Sequence, residues 1–597
     1  CGSTGYMNIV DQIRGFTAKA LLELYQVDIT GNEIPVNPTN PEFKGDYTIV
    51  LFGLIKKLRK SPDDLGRELG GHLVHTHPSL VTSFEVVKGF LNLTIDDGYW
   101  LTFLRTNFLA ANYGKLAPNG VRVIVEYSSP NTNKPLHLGH LRNNFLGWSV
   151  AEILKATGHE VIKTCIVNDR GIHICKSMLA WQQFANNATP ASAGMKGDHF
   201  VGEYYVKFDQ EYRKQVAELV TQGMDKAEAE RQAPLMKEAQ QMLQDWEAGK
   251  PEVMSLWKQM NQWVYDGFAK TYQRIGSDFD KIYYESETYL LGKKYVEEGL
   301  ATGVFFTRPD GSVWIDLTAD GLDEKLVLRK DGTSVYMTQD LGLADEKFKD
   351  FAYDQSIYVV GDEQNYHLKV LKLILEKLGK AYANGIYHLS YGMVDLPTGR
   401  MKSREGTVVD ADDLVDEMVA VAAKHTEELG KITGFSADEL TDLYNTIGLG
   451  ALKFFLLRVD PKKRMVFNPE ESIDFHGFTG PFVQYTYARI KSILRRQRAD
   501  AAFTNQSPLL KAERELVILL EQYTSVLMQA AGEHNPSVLA VYVFTLARNY
   551  NSFYAEHSVM NAESEDKKQL RLQLSEMAAN VIAQCMQLLG VNVPERM

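Results

Sequence analysis

Two histidines three residues apart, in His137-Leu138-Gly139-His140, are well suited to handling a triphosphate. The apolar run Val121 to Val125 predicts a buried strand before them, and the apolar spacing in residues 138–154 predicts an amphipathic helix after them. The N-terminus of such a helix offers free N–H groups and the positive end of the helix dipole to phosphate. Gly139 leaves room for a base or a ribose, and the imidazoles can donate hydrogen bonds as charge develops on phosphate oxygens.

The same four residues can also be ordinary loop or helix-start residues. The context favours the nucleotide interpretation, because a strand precedes them, a helix follows them, and the segment between is Pro130-Asn131-Thr132-Asn133-Lys134-Pro135.

A second segment suited to phosphate runs from Pro397 to Thr407, directly after a predicted strand. It contains Arg400, Lys402 and Arg404. Such a loop can close over a triphosphate and stabilise the charge that leaves on pyrophosphate. Taken alone, the segment also fits a solvated basic turn.

Residues 478–498 combine basic and aromatic side chains and contain no acid. The basic residues are Arg489, Lys491, Arg495, Arg496 and Arg498, and the aromatic ones are Phe478, Phe482, Tyr485 and Tyr487. Cations beside aromatic faces suit single-stranded bases and phosphates. The alternative is an amphipathic helix with a solvated basic face.

Composition bounds the possible classes of protein. The chain has 597 residues, 45% of them hydrophobic and 23% charged, as in soluble globular proteins with several domains. A net charge of −12 argues against a general nucleic-acid coat but not against a local RNA-binding patch. No apolar run approaches the roughly 18 residues that cross a bilayer, so we expect no membrane segment.

The four cysteines are few and scattered, which suits a reducing cytoplasm. None forms a C-x-x-C pair, so a structural zinc site is not expected. Cys165 and Cys175 are expected to be small core residues. Residues 1–6 precede Met7, where we expect the natural chain to begin.

The elements that must position these residues fall into several units. Residues 7–115 form a first unit, with a helix over Ile9–Val27, a second helix from Asp46 to Lys60 and a strand over Phe84–Ile95, and residues 112–119 read as a linker. Residues 120–184 predict a βαβ unit whose second strand is Glu160–Val167.

Polar helical runs in residues 185–320, such as Val216–Ala248, break the α/β pattern. They predict an insertion between two halves of one sheet. The second half is expected to resume near Lys325 and to contain strands Ser356–Val360 and Ile386–Val394. From about residue 411 the chain is predicted to be almost wholly helical.

Several motifs in order make the chain resemble the class I aminoacyl-tRNA synthetases, and specifically the bacterial arginyl-tRNA synthetase family. His137–His140 matches the HIGH motif, and Arg400–Arg404 stands where the KMSKS motif is expected. The other matching segments are Ser129-Pro130-Asn131, Lys134, Leu141-Arg142-Asn143-Asn144, Val335-Tyr336, Asp340, Asp362-Glu363-Gln364, His367, Gly480–Tyr485, Ala488-Arg489-Ile490 and Pro594–Met597.

The resemblance implies a multidomain α/β plus α protein. Residues 7–115 would be an additional α+β domain that binds the tRNA elbow. Residues 120–410 would be a Rossmann-like parallel-sheet catalytic domain, with an insertion at about 185–320 that handles the acceptor end. Residues 411–470 would be a helical connector that contacts the stem, and residues 471–597 an all-α anticodon-binding domain.

For ATP, the resemblance implies contacts from residues of both motifs and of two further strand ends. These are His137, Gly139, His140, Gly361, His367, Met393, Val394 and Met401. His367 can instead be a helix residue packed on the sheet. Mg²⁺ is expected to accompany ATP without a dedicated protein site, so no metal ligands are predicted.

Arginine ends in a planar cation with five donors, so its pocket needs carboxylates. Glu126 ends the first strand of the catalytic domain, and Tyr336 and Asp340 share one side of a predicted helix. The resemblance implies that Tyr336, Asp340 and Gln364 recognise the side chain and that Asn131 holds the amino-acid end. Glu126 can alternatively be a solvated acid at a strand end.

The sequence departs from the family at two places. Ser403 stands where the KMSKS motif has its second lysine, so Lys134, Lys402 or Arg404 must supply the catalytic cation together with His137 and His140. Arg170 stands where the family usually has tryptophan after Asn168-Asp169.

For tRNA, the resemblance implies contacts from the C-terminal domain. The residues are Phe482, Tyr485, Arg489, Arg548, Asn551, Tyr554 and Met597. The expected partners are therefore tRNA(Arg), L-arginine and ATP, for a cytoplasmic monomer that requires bound tRNA to activate arginine.

Other classes of function remain open. A small-molecule nucleotidyltransferase also uses H-x-G-H but does not need a basic aromatic helical domain. A non-catalytic tRNA-binding paralogue would lose the histidines, and a synthetase for another amino acid would lack Glu126, Tyr336 and Asp340.

Overall fold

The computed structural model describes residues 8–397, 409–430 and 432–597. Its helices and strands form the predicted α/β plus α architecture. Met7 and the predicted loop residues Arg400, Met401, Lys402, Ser403 and Arg404 lie outside the described residues.

The first unit is an antiparallel sheet covered by helices, with strand order β1-β2-β4-β3. Its elements are α1 Ile9–Tyr25, β1 Val36–Pro38, β2 Tyr47–Val50, α2 Phe52–Leu58, α3 Pro62–Thr76, β3 Val81–Val87, β4 Phe90–Ile95 and α4 Asp97–Asn107. Helix α3 approaches β3 closely through Gly66 and Gly70, because a Cβ there would lie 2.6 Å from Val86 and 2.5 Å from Phe84.

Two sequence expectations for this unit are wrong. The helix expected from Asp46 is the strand β2 followed by α2, because the run Tyr47–Val50 pairs with both β1 and β4 inside the sheet. The strand expected over Phe84–Ile95 is a hairpin. Lys88 and Gly89 both have positive φ (47° and 85°), which a two-residue turn between antiparallel strands requires.

The next segment begins the parallel α/β region. It contains β5 Arg122–Glu126, α5 Leu138–Ala156, β6 Glu160–Val167 and α6 Ile172–Phe184. Helix α5 is buried around most of its surface, including Arg142, Asn143 and Asn144, whereas an amphipathic helix was expected. Gly147 permits this, since a Cβ there would lie 2.3 Å from Tyr127.

A helical insertion follows α6. Its helices are α7 Pro190–Ala193, α8 Gly197–Thr221, α9 Lys226–Gln232, α10 Pro234–Glu247 and α11 Pro251–Ile275. The polar helical run expected over Val216–Ala248 is divided among three helices, α8, α9 and α10. The breaks fall at Gly223, whose φ is +99°, and before Pro234, which cannot donate a helical hydrogen bond.

The chain then returns to the sheet. The elements are β7 Lys281–Tyr284, α12 Glu285–Thr288, α13 Lys293–Ala301, β8 Phe305–Thr307, β9 Val313–Asp316, β10 Glu324–Leu328, α14 Tyr336–Phe351, β11 Gln355–Gly361, α15 Asn365–Lys377, β12 Ile386–Tyr391 and β13 Val394–Asp395.

The central sheet has the order β12-β11-β5-β6-β7, with every neighbouring pair parallel. Connections leave β5 and β11 in opposite directions across the sheet, which makes their carboxyl ends the switch point where a doubly wound fold binds ligands. The expectation that the sheet resumes near Lys325 is wrong, because β7 already pairs with β6. Lys325 belongs to a separate antiparallel sheet of β8, β9 and β10.

The remainder is helical, as expected. It comprises α16 Ala411–Leu429, α17 Ala437–Leu457, the short strand β14 Met465–Val466, α18 Pro469–Ser472, α19 Gly480–Arg496, α20 Lys511–Glu521, α21 Tyr523–Glu533, α22 Pro536–Glu556 and α23 Glu565–Leu588. Strand β14 pairs in parallel with β13 and so ties this region to the α/β unit.

The first unit packs against the C-terminal helices through charged groups. The Arg514 guanidinium on α20 forms ion pairs with Asp46 and Asp97. The Glu521 carboxylate accepts hydrogen bonds from the Ile9 backbone N–H and the Tyr99 hydroxyl, both 2.8 Å. Residues at opposite ends of the chain therefore form one interface.

Cys165 and Cys175 are free and buried, which confirms them as core residues. Within the described ranges, no helix is long and apolar enough to cross a membrane.

Candidate active site

The two histidines cap the N-terminus of α5 through hydrogen bonds between their rings and the backbone. His137 is the N-cap: its Nδ1 accepts the Gly139 backbone N–H, and its own backbone N–H donates to His140 Nδ1, both at 3.0 Å. The ring centroids lie 4.0 Å apart. The spacing H-x-x-H thus builds a reciprocal cap in which each imidazole satisfies an N–H group that the helix leaves free.

These hydrogen bonds fix the tautomers. Because Nδ1 of each neutral ring accepts a hydrogen bond, its proton is on Nε2. Burial and the Lys134 charge lower the pKa of His137 to about 4, although Asp410 opposes the shift. Burial also lowers the pKa of His140 well below its usual value. Near neutral pH both histidines therefore offer neutral Nε2–H donors.

A cavity of about 730 Å³ lies over the carboxyl ends of β5 and β11. It collects most of the residues predicted for ATP and arginine. These are Glu126, His137, Gly139, His140, Tyr336, Asp340, Gly361, Gln364, His367, Met393 and Val394.

One wall of the cavity comes from α14 and α15. Tyr336 opens α14 and is 73% exposed, and Asp340 lies one turn later on the same face, as predicted. The Asp340 carboxylate contacts His367 Nε2 at 2.5 Å. This contact raises the pKa of His367 against the opposing effect of burial. His367 thus contacts the predicted arginine-binding carboxylate.

Glu126 has a buried cation beside it. Its Oε1 lies 2.6 Å from the Nζ of Lys347, which is fully buried. That ammonium also lies 4.2 Å from the centroid of the Tyr358 ring. Sequence reasoning missed Lys347. The sequence did contain a signal for it. Lys347 follows Asp340 by seven residues and Leu343 by four, so it lies on the same stripe of α14, at a position where an apolar residue is expected.

Arg142 is a second residue that sequence reasoning left without a role. Its guanidinium is buried and donates to the carbonyls of Gly392 at 2.6 Å and Lys463 at 2.8 Å. It therefore holds the backbone next to Met393 against the start of α5. A buried arginine in an apolar helix was the available signal.

Two predicted site residues, Lys134 and Asn131, do not line this cavity. Lys134 lines a neighbouring cavity of about 1610 Å³ together with His137, His173 and Lys176. Asn131 is exposed and forms a backbone bridge to Asn168. Lys402, Arg404 and Met401 fall outside the described residues.

Asp169 and Arg170, at the second departure from the family, contact residues far along the chain. The Asp169 carboxylate accepts hydrogen bonds from the Ser286 N–H and hydroxyl and from the Tyr265 hydroxyl, at 2.6–2.8 Å. The Arg170 guanidinium lies 3.9 Å from the Tyr289 ring centroid. Both residues thus join the insertion to the segment after β7.

Six of the seven residues predicted for tRNA lie on α19 and α22. Arg489 donates to the Asn551 side-chain oxygen at 2.9 Å. Its guanidinium carbon lies 5.2 Å from the Tyr485 ring centroid and 5.3 Å from that of Tyr554. Part of the basic run is thus stacked on rings, in contrast to a uniformly solvated basic face.

The flanks of this surface are apolar. Phe482 and the guanidinium of Arg548 both lie against Phe544, at 5.3 and 5.4 Å from its ring centroid. Met597 packs at the edge of the core.

Family models match three stretches of the chain. The model "tRNA synthetases class I (R), catalytic domain" matches residues 106–468, "DALR anticodon binding domain" matches 483–597, and "Arginyl tRNA synthetase N terminal domain" matches 11–95. These three stretches correspond, respectively, to the α/β unit, the helical C-terminal region and the first unit described above.

Curated relatives match over nearly the whole length. The arginine–tRNA ligase of Flavobacterium psychrophilum is 55% identical over 96% of this chain and 97% of its own. That of Amoebophilus asiaticus is 52% identical over 99% and 100%. The solved arginyl-tRNA synthetase of Thermus thermophilus superposes with a TM-score of 0.81 at 26% identity, over 99% of this chain and 100% of that one. The chain therefore belongs to the bacterial arginine–tRNA ligase family of class I aminoacyl-tRNA synthetases.

Proposed function

We propose that the 730 Å³ cavity activates arginine with ATP and that the activated arginine then passes to tRNA. Membership of the family makes the protein an ATP-dependent ligase that attaches L-arginine to tRNA(Arg) through an arginyl adenylate, releasing AMP and pyrophosphate. The observation that supports the proposed division of roles is that the capped histidines and the Tyr336–Asp340 face line the same cavity.

On the ATP side, His137 and His140 would donate their Nε2–H groups to phosphate oxygens. Neutral donors suit this role because they stabilise negative charge without first having to gain a proton. Gly139 and Gly361 would leave space for ribose, and the backbone at Met393 and Val394 would contact the adenine. Lys134 would bring the cation that Ser403 lacks, with Lys402 and Arg404 of the basic segment as the alternatives. Met401 of that segment would contact ATP. Mg²⁺ would enter bound to ATP, as part of the substrate.

On the arginine side, Asp340 and Tyr336 would bind the guanidinium, with Gln364 beside them and Asn131 at the amino-acid end. Glu126 would add a carboxylate to the same pocket, its charge balanced by Lys347. His367 would share Asp340 with the substrate.

The reaction would need no covalent enzyme intermediate. A carboxylate oxygen of arginine attacks the α-phosphorus of ATP, the bond to the bridging oxygen breaks, and pyrophosphate leaves. The 3′-terminal adenosine hydroxyl of tRNA then attacks the carbonyl carbon and AMP leaves. The protein would contribute positioning and electrostatic stabilisation of the charge that develops on phosphate.

The α19–α22 surface, with Phe482, Tyr485, Arg489, Arg548, Asn551 and Tyr554, is our proposed contact with the anticodon, and Met597 lies at its margin. Rings and guanidinium groups that stack together suit unpaired bases. We place residues 7–115 on the tRNA elbow, the insertion on the acceptor end and residues 411–470 on the stem. We further propose a cytoplasmic monomer.

ATP–pyrophosphate exchange with each of the twenty amino acids, with and without tRNA, tests this proposal. The expected result is exchange with arginine alone, and only when tRNA is present. Exchange with another amino acid would refute the arginine pocket, and exchange without tRNA would favour a small-molecule nucleotidyltransferase.

A further inference from the structure

The first two turns of α8, in the insertion, lie against the segment before the histidines and against the start of α16. Gly202 faces the segment before the histidines: a Cβ built there would lie 2.8 Å from Pro135 Cδ and 3.7 Å from Lys134 Cα. A side chain at position 202 would therefore push on the backbone that carries the Lys134 ammonium.

One turn earlier, His199 reaches the start of α16. Its Nε2 lies 2.7 Å from an Asp410 carboxylate oxygen and 3.3 Å from an Asp412 oxygen. These two carboxylates raise the pKa of His199 to about 10 in spite of its partial burial, so its ring is a cation at neutral pH.

Lys196 completes the cluster. Its Nζ lies 2.9 Å from Asp412 Oδ2, within 3.0 Å of both Asp198 oxygens and 2.6 Å from the Thr271 hydroxyl. Asp198, His199 and Asp412 otherwise have the spacing of a metal site. The Lys196 ammonium already neutralises two of those ligands, so the cluster is an ion-pair network.

The backbone of Asp410 links this ion-pair network to His137. Asp410 and His137 form an antiparallel bridge, and the Ala411 N–H donates to the Leu136 carbonyl at 2.9 Å. The Asp410 side chain also caps α16 by accepting the N–H groups of Asp412 and Asp413. The segment that holds His137 is thus fixed to α16, and α16 is fixed to α8.

We propose that Lys196, His199 and Gly202 are positioning residues for adenylate formation, which hold Lys134 and His137 at the phosphates from the insertion side. The inference rests on the proposed phosphate contacts of Lys134 and His137. His199 and Lys196 act on His137 through Asp410 and Asp412, and Gly202 acts on Lys134 through Pro135. None of the three needs to touch a substrate.

The size of the effect follows from the contact at Gly202. An ordinary Cβ contact is 3.4–4 Å, so Gly202→Ala must displace Pro135 or α8 by about 0.6 Å or more from 2.8 Å. Because a misplacement of about 1 Å costs about 10²-fold in rate, we expect kcat for exchange to fall by about 10- to 100-fold. We expect His199→Gln to lower kcat by about tenfold, since it removes the cation that holds Asp410.

The test is tRNA-dependent ATP–pyrophosphate exchange with arginine, measured as kcat and as KM for arginine. Gly202→Ala and His199→Gln should lower kcat and leave KM for arginine unchanged, because Tyr336 and Asp340 lie on other elements. His199→Lys should recover most of the lost rate by restoring the cation. Lys155→Met, which removes an exposed ion pair with Glu152 near the C-terminal end of α5, is the control and should leave kcat unchanged.

Wild-type kcat in both Gly202→Ala and His199→Gln, with a large loss in Lys134→Ala, would overturn the positioning role. A rise in KM for arginine equal to the fall in kcat would also overturn it, because it would indicate a general loss of structure. Wild-type exchange in Lys134→Ala and His137→Asn would instead refute the proposed phosphate contacts, and this inference with them.

Discussion

Replacing Lys134 by alanine tests which cation stands in for the lysine that Ser403 replaces. The ammonium of Lys134 forms no ion pair with a carboxylate among the described residues, and burial lowers its pKa. It lies close enough to His137, His140 and His173 to lower the pKa of all three. The side chain thus places an uncompensated charge beside the proposed phosphate donors.

The expected magnitude follows from that placement. A unit charge about 4 Å from phosphate contributes about 4 kcal/mol at an effective dielectric constant of 20. Removing a single donor to a developing anion commonly costs about 2.7–4 kcal/mol. Taking the lower end, Lys134→Ala should slow adenylate formation by about 10²-fold, since 1.36 kcal/mol is a factor of ten in rate.

The assay is arginine-dependent ATP–pyrophosphate exchange at saturating tRNA. Lys176→Ala is the matched control, because Lys176 lines the same 1610 Å³ cavity and its pKa is also lowered by burial. The control should keep wild-type exchange, and Lys134→Arg should keep a substantial part of it. A near-wild-type rate for Lys134→Ala would refute the compensation and leave Lys402 or Arg404 as the cation.

Four further predictions concern the arginine side of the cavity and the α19–α22 surface. Asp340→Asn should raise KM for arginine far more than KM for ATP; equal losses would count against the pocket. The imidazolium of His367 is expected to compete with the arginine guanidinium for Asp340, so KM for arginine should fall as pH rises through the raised pKa of His367, and His367→Gln should abolish this slope. Lys347→Met leaves the buried Glu126 carboxylate without its cation and should lower the free energy of unfolding, measured in urea, by about 3–5 kcal/mol. Adding Glu126→Gln should restore most of that loss. Phe482→Ala should raise KM for tRNA and spare ATP affinity, with Phe482→Leu as the control for lost packing against Phe544.

Local patterns in the sequence predicted the centre of the site. The spacing of His137 and His140 predicted a helix N-terminus with two imidazoles, and the structure adds that each ring caps the other's backbone. The four-residue spacing of Tyr336 and Asp340 correctly placed both on one helix face. Such predictions succeed because they depend on geometry within a few residues.

The errors arose where partners are distant in sequence. No local sequence pattern near Lys281 predicts that the strand Lys281–Tyr284 pairs with β6 after a long helical insertion. Likewise, Lys347 and Glu126 are 221 positions apart, and only the fold brings them to 2.6 Å. Periodicity also misread Tyr47–Val50, since a strand buried between two others loses the alternation that marks a strand at the surface.

The interface between Arg514 and the acids Asp46 and Asp97 has a consequence for synthesis. Arg514 and Asp46 are 468 residues apart. At about 5–20 residues per second, a ribosome needs roughly 25–90 s to add that length. During this interval the first unit has left the exit tunnel with Asp46, Asp97 and the α1–α4 surface uncovered. The nascent chain must therefore keep that face soluble until α20 emerges.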